Sequence, residues 1–269
     1  MTAEPRPEHL VAVVSDGGAV APSARRYAAL IEDLAGLPVR VLGPAGGGEQ
    51  QDETDLRAFP PEVATIFLQH ARPEFARQVR ALAGWRPVLT DQDTTAIALA
   101  AALLTTLSRA GRAPRASKVV IAGADNLPIL CPLLMVCGIS DITTWSPADA
   151  ITFPLRRIAA GAHVVVDLLD VTADLEPLTP HAEPTVLAPD EASDPLLALP
   201  GLLRALTDFP GARLDFEVYH DCALALVMAT PPDERSPAGP DAALTDRVAD
   251  AAARALRKLA HRPFDTTIG

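Results

Sequence analysis

The sequence predicts an α/β protein built on parallel sheets. Three observations predict it. Short β-branched runs alternate with segments of helical length, and turn residues mark the joins. Aromatic residues are only 4%, while Ala, Leu and Val abound. Strands that alternate with helices pair in parallel through crossovers. A core of small aliphatic side chains lets those helices pack closely on the sheet.

The first strand is His9–Ser15 (HLVAVVS), closed by the turn residues Asp16-Gly17-Gly18. Ser23–Gly36 follows with helical spacing, then Pro38–Leu42 as a second strand. Pro44–Asp55 has the composition of a loop. Val63–Leu68 reads as a strand, and Arg72–Gly84 as an amphipathic helix with its charges on one face. Val88–Leu89 is a short strand running into Asp91–Ala110, the longest helical signal in the chain. That helix is apolar nearly all round, which predicts burial, and Gly111 closes it.

Lys118–Gly123 (KVVIAG) opens a second α/β region. It continues with helix Leu127–Cys137, strand Asp141–Trp145, helix Leu155–Ala160 and strand His163–Asp167. Beyond Asp170 the chain is rich in Pro and Asp, with a strand expected at Thr185–Leu187. Helices at Leu197–Leu206, Glu217–Ala229 and Ala242–His261 complete the chain, and Thr230–Pro240 reads as a surface loop. The expected domains are 1–112, with the long helix as the join, and 113–269, with the C-terminal helices returning to the first.

Composition narrows the function. A length of 269 residues, 49% of them hydrophobic, supports one large core or two smaller ones. The 23 Lys and Arg against 34 Asp and Glu give a formal charge of −11. Phosphate contacts need clustered basic residues, so nucleic acid is not an expected partner. Three cysteines, an odd number, argue for a reducing compartment rather than a secreted disulfide framework. The N-terminal residues have no basic segment followed by a long apolar run, and apolar stretches elsewhere are interrupted. The expectation is a cytoplasmic α/β enzyme or binding protein, with no membrane span.

The stretch Val88–Ile142 resembles the join between the two domains of bacterial malic enzymes. In that family an Asp-rich turn leads into a long helix, followed by a Rossmann strand and a glycine fingerprint. Other similarities are collinear with it. Leu10–Val20 (LVAVVSDGGAV) resembles the family's Val-Ser-Asp-Gly-Thr-Ala-Val. Ile66-Phe67-Leu68-Gln69-His70 stands where the family has Ile-Asn-Leu-Glu-Asp. Leu199-Pro200-Gly201-Leu202-Leu203-Arg204 resembles its Phe-Pro-Gly-Ile-Phe-Arg. The resemblance implies a Rossmann-like parallel-sheet domain packed on a smaller, N-terminally truncated malic-enzyme-type α/β domain. It also implies oxidative decarboxylation of malate with NAD(P) and Mg²⁺ or Mn²⁺.

The positions that carry this chemistry are changed. The family's metal-binding Glu-Asp pair aligns with Gln69-His70, and of its carboxylates only Asp91 remains. Hard dications take oxygen ligands and depend on carboxylate charge. A Gln69, His70, Asp91 set instead leans towards a transition metal. Read from the residues alone, Gln69-His70 is a polar strand end facing solvent, and Asp91 caps the long helix. The family's acid–base Tyr has no counterpart here, and its Lys aligns at or beside Tyr27, after Arg25 and Arg26. Arg cannot act as a base near neutral pH, and an unperturbed Tyr has a pKa of about 10. The plain reading of Arg25-Arg26-Tyr27 is a solvated helix face with Tyr27 partly packed.

A dinucleotide fingerprint needs Gly-x-Gly-x-x-Gly between strand and helix. Gly123-Ala124-Asp125-Asn126-Leu127-Pro128 keeps only the first Gly. A carboxylate at Asp125, about 5 Å from a diphosphate charge, costs roughly 3 kcal/mol at an effective dielectric near 20, about a hundredfold in affinity. Asp125 or Asn126 is expected to cap the next helix, with Pro128 in its first turn. Ser146, after the next strand, stands where such enzymes carry the ribose-binding acid.

Other reactive-looking residues have simple packing readings. Cys131 and Cys137 are expected at buried apolar positions. Tyr219-His220-Asp221-Cys222 reads as packing, and His163 as a satisfied strand-edge residue. The functional expectation is a malic-enzyme-like pseudoenzyme, with degraded metal, acid–base and dinucleotide sites, acting as a binding or regulatory module. The alternatives are a repurposed enzyme that applies Asp91, Asp93, His70, Asp16 and Tyr27 to non-redox chemistry on a small carboxylic acid, and an NAD(P)-dependent malic enzyme. The expected partners are a small carboxylic acid or another protein, with a homodimer as one assembly.

Overall fold

The computed structural model describes residues 9–16, 22–42, 59–171, 184–189 and 194–261. Gly17-Gly18, the expected loop Pro44–Asp55 and much of the Pro- and Asp-rich stretch after Asp170 lie outside them. The elements in chain order are β1 (Leu10–Ser15), α1 (Pro22–Ala35), β2 (Val39–Leu42), β3 (Val63–Gln69), α2 (Pro73–Leu82), β4 (Val88–Thr90) and α3 (Asp91–Arg109). There follow β5 (Lys118–Ala122), α4 (Leu130–Val136), β6 (Asp141–Trp145), α5 (Leu155–Ala159), β7 (Val164–Asp167), β8 (Thr185–Leu187), α6 (Leu199–Asp208), α7 (Phe216–Ala229) and α8 (Ala242–Ala260).

The chain divides into two compact units. One comprises residues 1–91, 199–221 and 241–269, the other 92–198 and 222–240. The division falls at the start of α3 rather than near residue 112, and α3 groups with the second unit from Gln92 onward. The long helix therefore belongs to the second sheet's unit and is not a tail of the first.

The first unit holds a four-stranded parallel sheet in the order β2-β1-β3-β4. Ala12, Val14, Ile66 and Leu68 send their side chains to one face, where Ala76, Val79 and Ala83 of and just beyond α2 pack against them. Alternation sends Thr65, Phe67 and Gln69 to the other face. The Tyr27 ring of α1 stacks on Phe67 there, with centroids 5.7 Å apart. α6 packs on α1, on β3 and on α8.

The Leu199–Arg204 motif has a packing reason. A Cβ on Gly201 would lie 2.6 Å from the Thr245 carbonyl oxygen and 2.7 Å from the Val248 Cβ, so only glycine lets α6 and α8 approach this closely. Arg204 donates from Nε to the Ala35 carbonyl at 3.1 Å and from Nη2 to the Leu34 carbonyl at 2.9 Å. It also pairs with Asp246. It thereby satisfies carbonyls at the end of α1 that the helix itself cannot.

The second unit repeats the architecture, a parallel sheet in the order β6-β5-β7-β8. Val120, Ala122 and Val165 pack with Trp145, Leu155 and Ala159 on one face. Nearly every residue from Asp93 to Leu107 of α3 is buried, as its all-round apolar pattern predicts. The Arg109 guanidinium donates to the carbonyls of Pro231 and Glu234, pinning the 230–240 loop to the end of α3. His163 is satisfied as expected, its Nδ1 accepting from the Lys118 N–H at 2.8 Å. Among the described residues no helix is long and apolar enough to cross a membrane.

α4 departs from expectation. It begins at Leu130, not Leu127, because Ala124–Asn126 first form a separate 3-10 turn. Ile129 precedes the helix with no side-chain cap, so neither Asp125 nor Asn126 caps it, and Pro128 lies outside its first turn.

The Gly201 contact is testable. Gly201→Ala adds about 1 kcal/mol of helix propensity but forces α6 off the α8 backbone. The expected net loss is about 1–3 kcal/mol in urea-induced unfolding, the usual cost of overpacking.

Candidate functional site

In an open parallel sheet, ligands bind outside the carboxyl ends of the strands, at the point where strand order reverses. In the first unit that point lies between β1 and β3, where Ser15 is the register partner of Gln69. The strand ends place Asp16, Gln69, His70 and Asp91 along one edge.

Asp16 is clamped. The Arg72 guanidinium donates from Nε to Asp16 Oδ2 at 2.7 Å and from Nη2 to Oδ1 at 3.1 Å. The Arg72 backbone N–H donates to Oδ2 at 3.1 Å. Hydrogen bonding from Arg72 holds the Asp16 carboxyl below its ordinary range, outweighing the upward push of partial burial. Arg72 is also the residue that precedes α2, so the pair fixes the end of β1 to the start of that helix. Nothing in the sequence pointed to Arg72, since the partners are 56 positions apart.

His70 and Asp91 form a second pair. Asp91 Oδ2 accepts from the His70 backbone N–H at 2.8 Å and lies 2.8 Å from the ring Nδ1. A carboxylate oxygen can only accept, so Nδ1 carries the proton and Nε2 is left as the acceptor. The His70 side chain is 72% exposed and that of Asp91 14%. His70 holds φ at 49°, a left-handed conformation uncommon for a non-glycine residue. Asp91 is the first residue inside α3, one position later than the cap expected for it.

Gln69 corrects the expectation of a solvent-facing strand end. Only His70 faces solvent. Gln69 is fully buried, and neither its Oε1 nor its Nε2 has a hydrogen-bond partner. Hydropathy alone could not find this, because the position follows a run of apolar strand residues and only the register puts it beneath helices. Tyr27 is half-buried against Phe67, and Arg25 and Arg26 are exposed.

In the second unit strand order reverses between β5 and β7. Gly123 follows β5 with φ at 80°. A Cβ there would lie 2.5 Å from the Leu169 Cγ, so the Leu169 side chain already occupies the space above the glycine. Four hydrogen bonds fold the segment after β7 over it. The buried Asp167 carboxylate accepts from the N–H groups of Leu169 at 3.0 Å and Val171 at 2.8 Å. The Leu168 N–H donates to the Ala122 carbonyl at 3.0 Å. Asn126 Nδ2 donates to the Leu168 carbonyl at 3.2 Å. Asp125 is exposed in the 3-10 turn. The Ser146 hydroxyl accepts from the Ala148 N–H and caps a local turn.

Neither group that the family resemblance implies fits these residues. A hard dication needs several carboxylate oxygens. Here the three aligned positions are a buried carboxamide, an imidazole and one carboxylate already bonded to that imidazole. Among the described residues no three His, Cys, Asp or Glu side chains gather as a metal set. A dinucleotide needs its diphosphate on open glycine backbone at a helix N-terminus. Here Leu169 covers the one glycine, and the seven-residue α4 starts well after it. Burial pushes the Cys137 thiol up to about 12 and raises that of the half-buried Cys131, and Cys222 is buried.

No protein-family model matches the chain, and no curated protein does. Solved structures do. A putative malic enzyme (malate oxidoreductase) superposes with a TM-score of 0.73 at 17% identity, covering 92% of this chain and 85% of that one. The malic enzyme from Pyrococcus horikoshii gives 0.74 at 17% identity, covering 95% and 78%. That from Entamoeba histolytica gives 0.76 at 15% identity, covering 94% and 70%. The chain therefore has a malic-enzyme-like α/β fold, as its collinear motifs imply.

The Asp16–Arg72 clamp gives a pH signature. Because its folded-state pKa lies below the ordinary 3.8, Asp16 stabilises the fold above that range and loses the contribution as pH falls through the folded value. Asp16→Asn is expected to lower the unfolding midpoint most at pH 7. The gap to wild type should narrow on acidification below about pH 4. A gap independent of pH would show that the charge is not what matters.

Proposed function

We propose that this chain keeps a malic-enzyme-like fold without malate oxidation, and acts as a binding or regulatory module in the cytoplasm. Its expected target is a small carboxylic acid or another protein. One observation carries the reading: the Leu169 side chain fills the space over Gly123 where a dinucleotide diphosphate would rest. The aligned metal positions support it, since the carboxylate charge available falls from −3 in the family's set to −1 here.

The geometry at His70 favours a second reading. A buried carboxylate that fixes Nδ1–H leaves Nε2 facing solvent as a proton acceptor, the arrangement general bases use. The strained backbone at His70 is also typical of working positions. On this reading the first unit carries out proton transfer on a small acid, without a nicotinamide.

Titration calorimetry with NAD⁺, NADP⁺ and Mn²⁺ tests the first reading. None is expected to bind the wild type measurably, and submillimolar binding of either dinucleotide overturns the proposal. Gln69→Glu combined with His70→Asp restores a three-carboxylate set with Asp91 and is expected to gain Mn²⁺ binding, while dinucleotide binding stays absent.

Nitrogen NMR of the imidazoles tests the second. His70 is expected in the Nδ1–H tautomer, shifting towards Nε2–H in Asp91→Asn. A wild-type ring protonated mainly at Nε2 removes the basis of the dyad.

A further inference from the structure

The two sheets have four edge strands, β2, β4, β6 and β8. An edge presents unpaired N–H and C=O groups, and proteins that stay single blunt it with short strands, charged side chains or proline. β4 and β8 are three residues long, and β2 carries Arg40, which pairs with Glu62. β6 has none of these devices. Its five residues, Asp141-Ile142-Thr143-Thr144-Trp145, include no Lys, Arg or Pro, and only Trp145 is buried. In a complete dinucleotide-binding sheet a third strand lies beyond the second. Here β6 is that second strand, and among the described residues it pairs with β5 alone.

The backbone fixes which groups are open. The Gly123 N–H donates to the Trp145 carbonyl, so Trp145, and with it Thr143 and Asp141, turns its backbone groups towards β5. Ile142 and Thr144 turn theirs outward. Side chains alternate between faces as well. Trp145 packs with Leu155 and Ala159 of α5, so Asp141 and Thr143 lie on the face that α5 covers.

These positions match a second copy of the same strand. About a two-fold axis at Thr143, Ile142 of each copy stands opposite Thr144 of the other, and each such pair exchanges both backbone hydrogen bonds. Thr143 meets Thr143, a favourable cross-strand pair. Asp141 does not meet Asp141. It falls at the far end of the other strand, on the face where the exposed Arg156 and Arg157 open α5. Among the described residues none of these three charged side chains has an ion pair. The apolar ends match too. Met135 and Val136 end α4 on the way into β6, Ile151 and Phe153 follow it, and all four are exposed. Antiparallel pairing sets the entry end of each strand beside the exit end of the other, and so brings one apolar pair to the other.

We propose that β6 is the interface through which two copies of this chain associate, joining their second sheets edge to edge. Both copies use the same patch, so the assembly closes at two. The inference goes beyond the binding-module reading and does not rest on it.

Sedimentation equilibrium of the full chain tests it. The wild type is expected to associate reversibly to the mass of two chains. Thr144→Pro removes an outward N–H that a single copy does not use, at an edge position where proline is tolerated. It is expected to weaken association at least about tenfold, since each dimer loses two hydrogen bonds. Asp141→Arg sets like charges together and is expected to weaken association as well, and adding Arg156→Asp and Arg157→Asp is expected to restore it. These surface exchanges carry the test if the proline variant folds poorly.

A wild type that stays single up to its solubility limit overturns the proposal. So does association that survives both Thr144→Pro and Asp141→Arg in folded protein, or that the reversed charges fail to restore. None of these outcomes bears on dinucleotide or Mn²⁺ binding, so the functional reading stands or falls separately.

Discussion

The space outside the carboxyl ends of parallel strands is small, and whatever fills it decides what the protein can bind. In the second sheet it is filled from within. The Asp167 carboxylate gathers the N–H groups of Leu169 and Val171, and that turn lays Leu169 across Gly123. Asn126 ties the same segment down through the Leu168 carbonyl. The glycine that could admit a diphosphate to the backbone instead admits a leucine.

The first sheet is held differently. Its strand ends are joined by two side-chain pairs, the Arg72–Asp16 ion pair and the His70–Asp91 hydrogen bond. Both carboxylates are largely covered, and the Arg72 and His70 side chains that meet them are largely exposed. Two buried anions left alone would be costly. Each side chain that reaches back over a strand end meets a carboxylate there. Local partners within the chain thus balance both carboxylates. Gln69 stands outside that balance, neutral and unmatched.

Much of the fold was legible in the sequence because its signals are local. Strand Asp141–Trp145 and strand Thr185–Leu187 fall where β-branched runs place them, and α3 where the apolar pattern does. The start of α4 was not legible, because Ala124–Asn126 take a 3-10 turn whose Asn126 bonds a carbonyl 42 residues away. The candidate site was legible only as a list of altered positions. Which carboxylate meets which partner depends on contacts 21 and 56 residues apart, and no spacing rule reaches that far. The burial of Gln69 depends on strand register and on a helix packed against the face it enters.

The Leu199–Arg204 motif shows what such a resemblance carries. Its glycine is needed because α8 lies against it, and its arginine closes the end of α1. These are packing duties, independent of any reaction. A chain can therefore keep them, and with them the malic-enzyme-like architecture, whatever stands beyond its strand ends. Motifs that hold a fold together persist for mechanical reasons, so their presence says little about chemistry. The groups beyond the strand ends, among them Leu169, Arg72, His70 and Gln69, answer to different contacts and are not fixed by those packing duties.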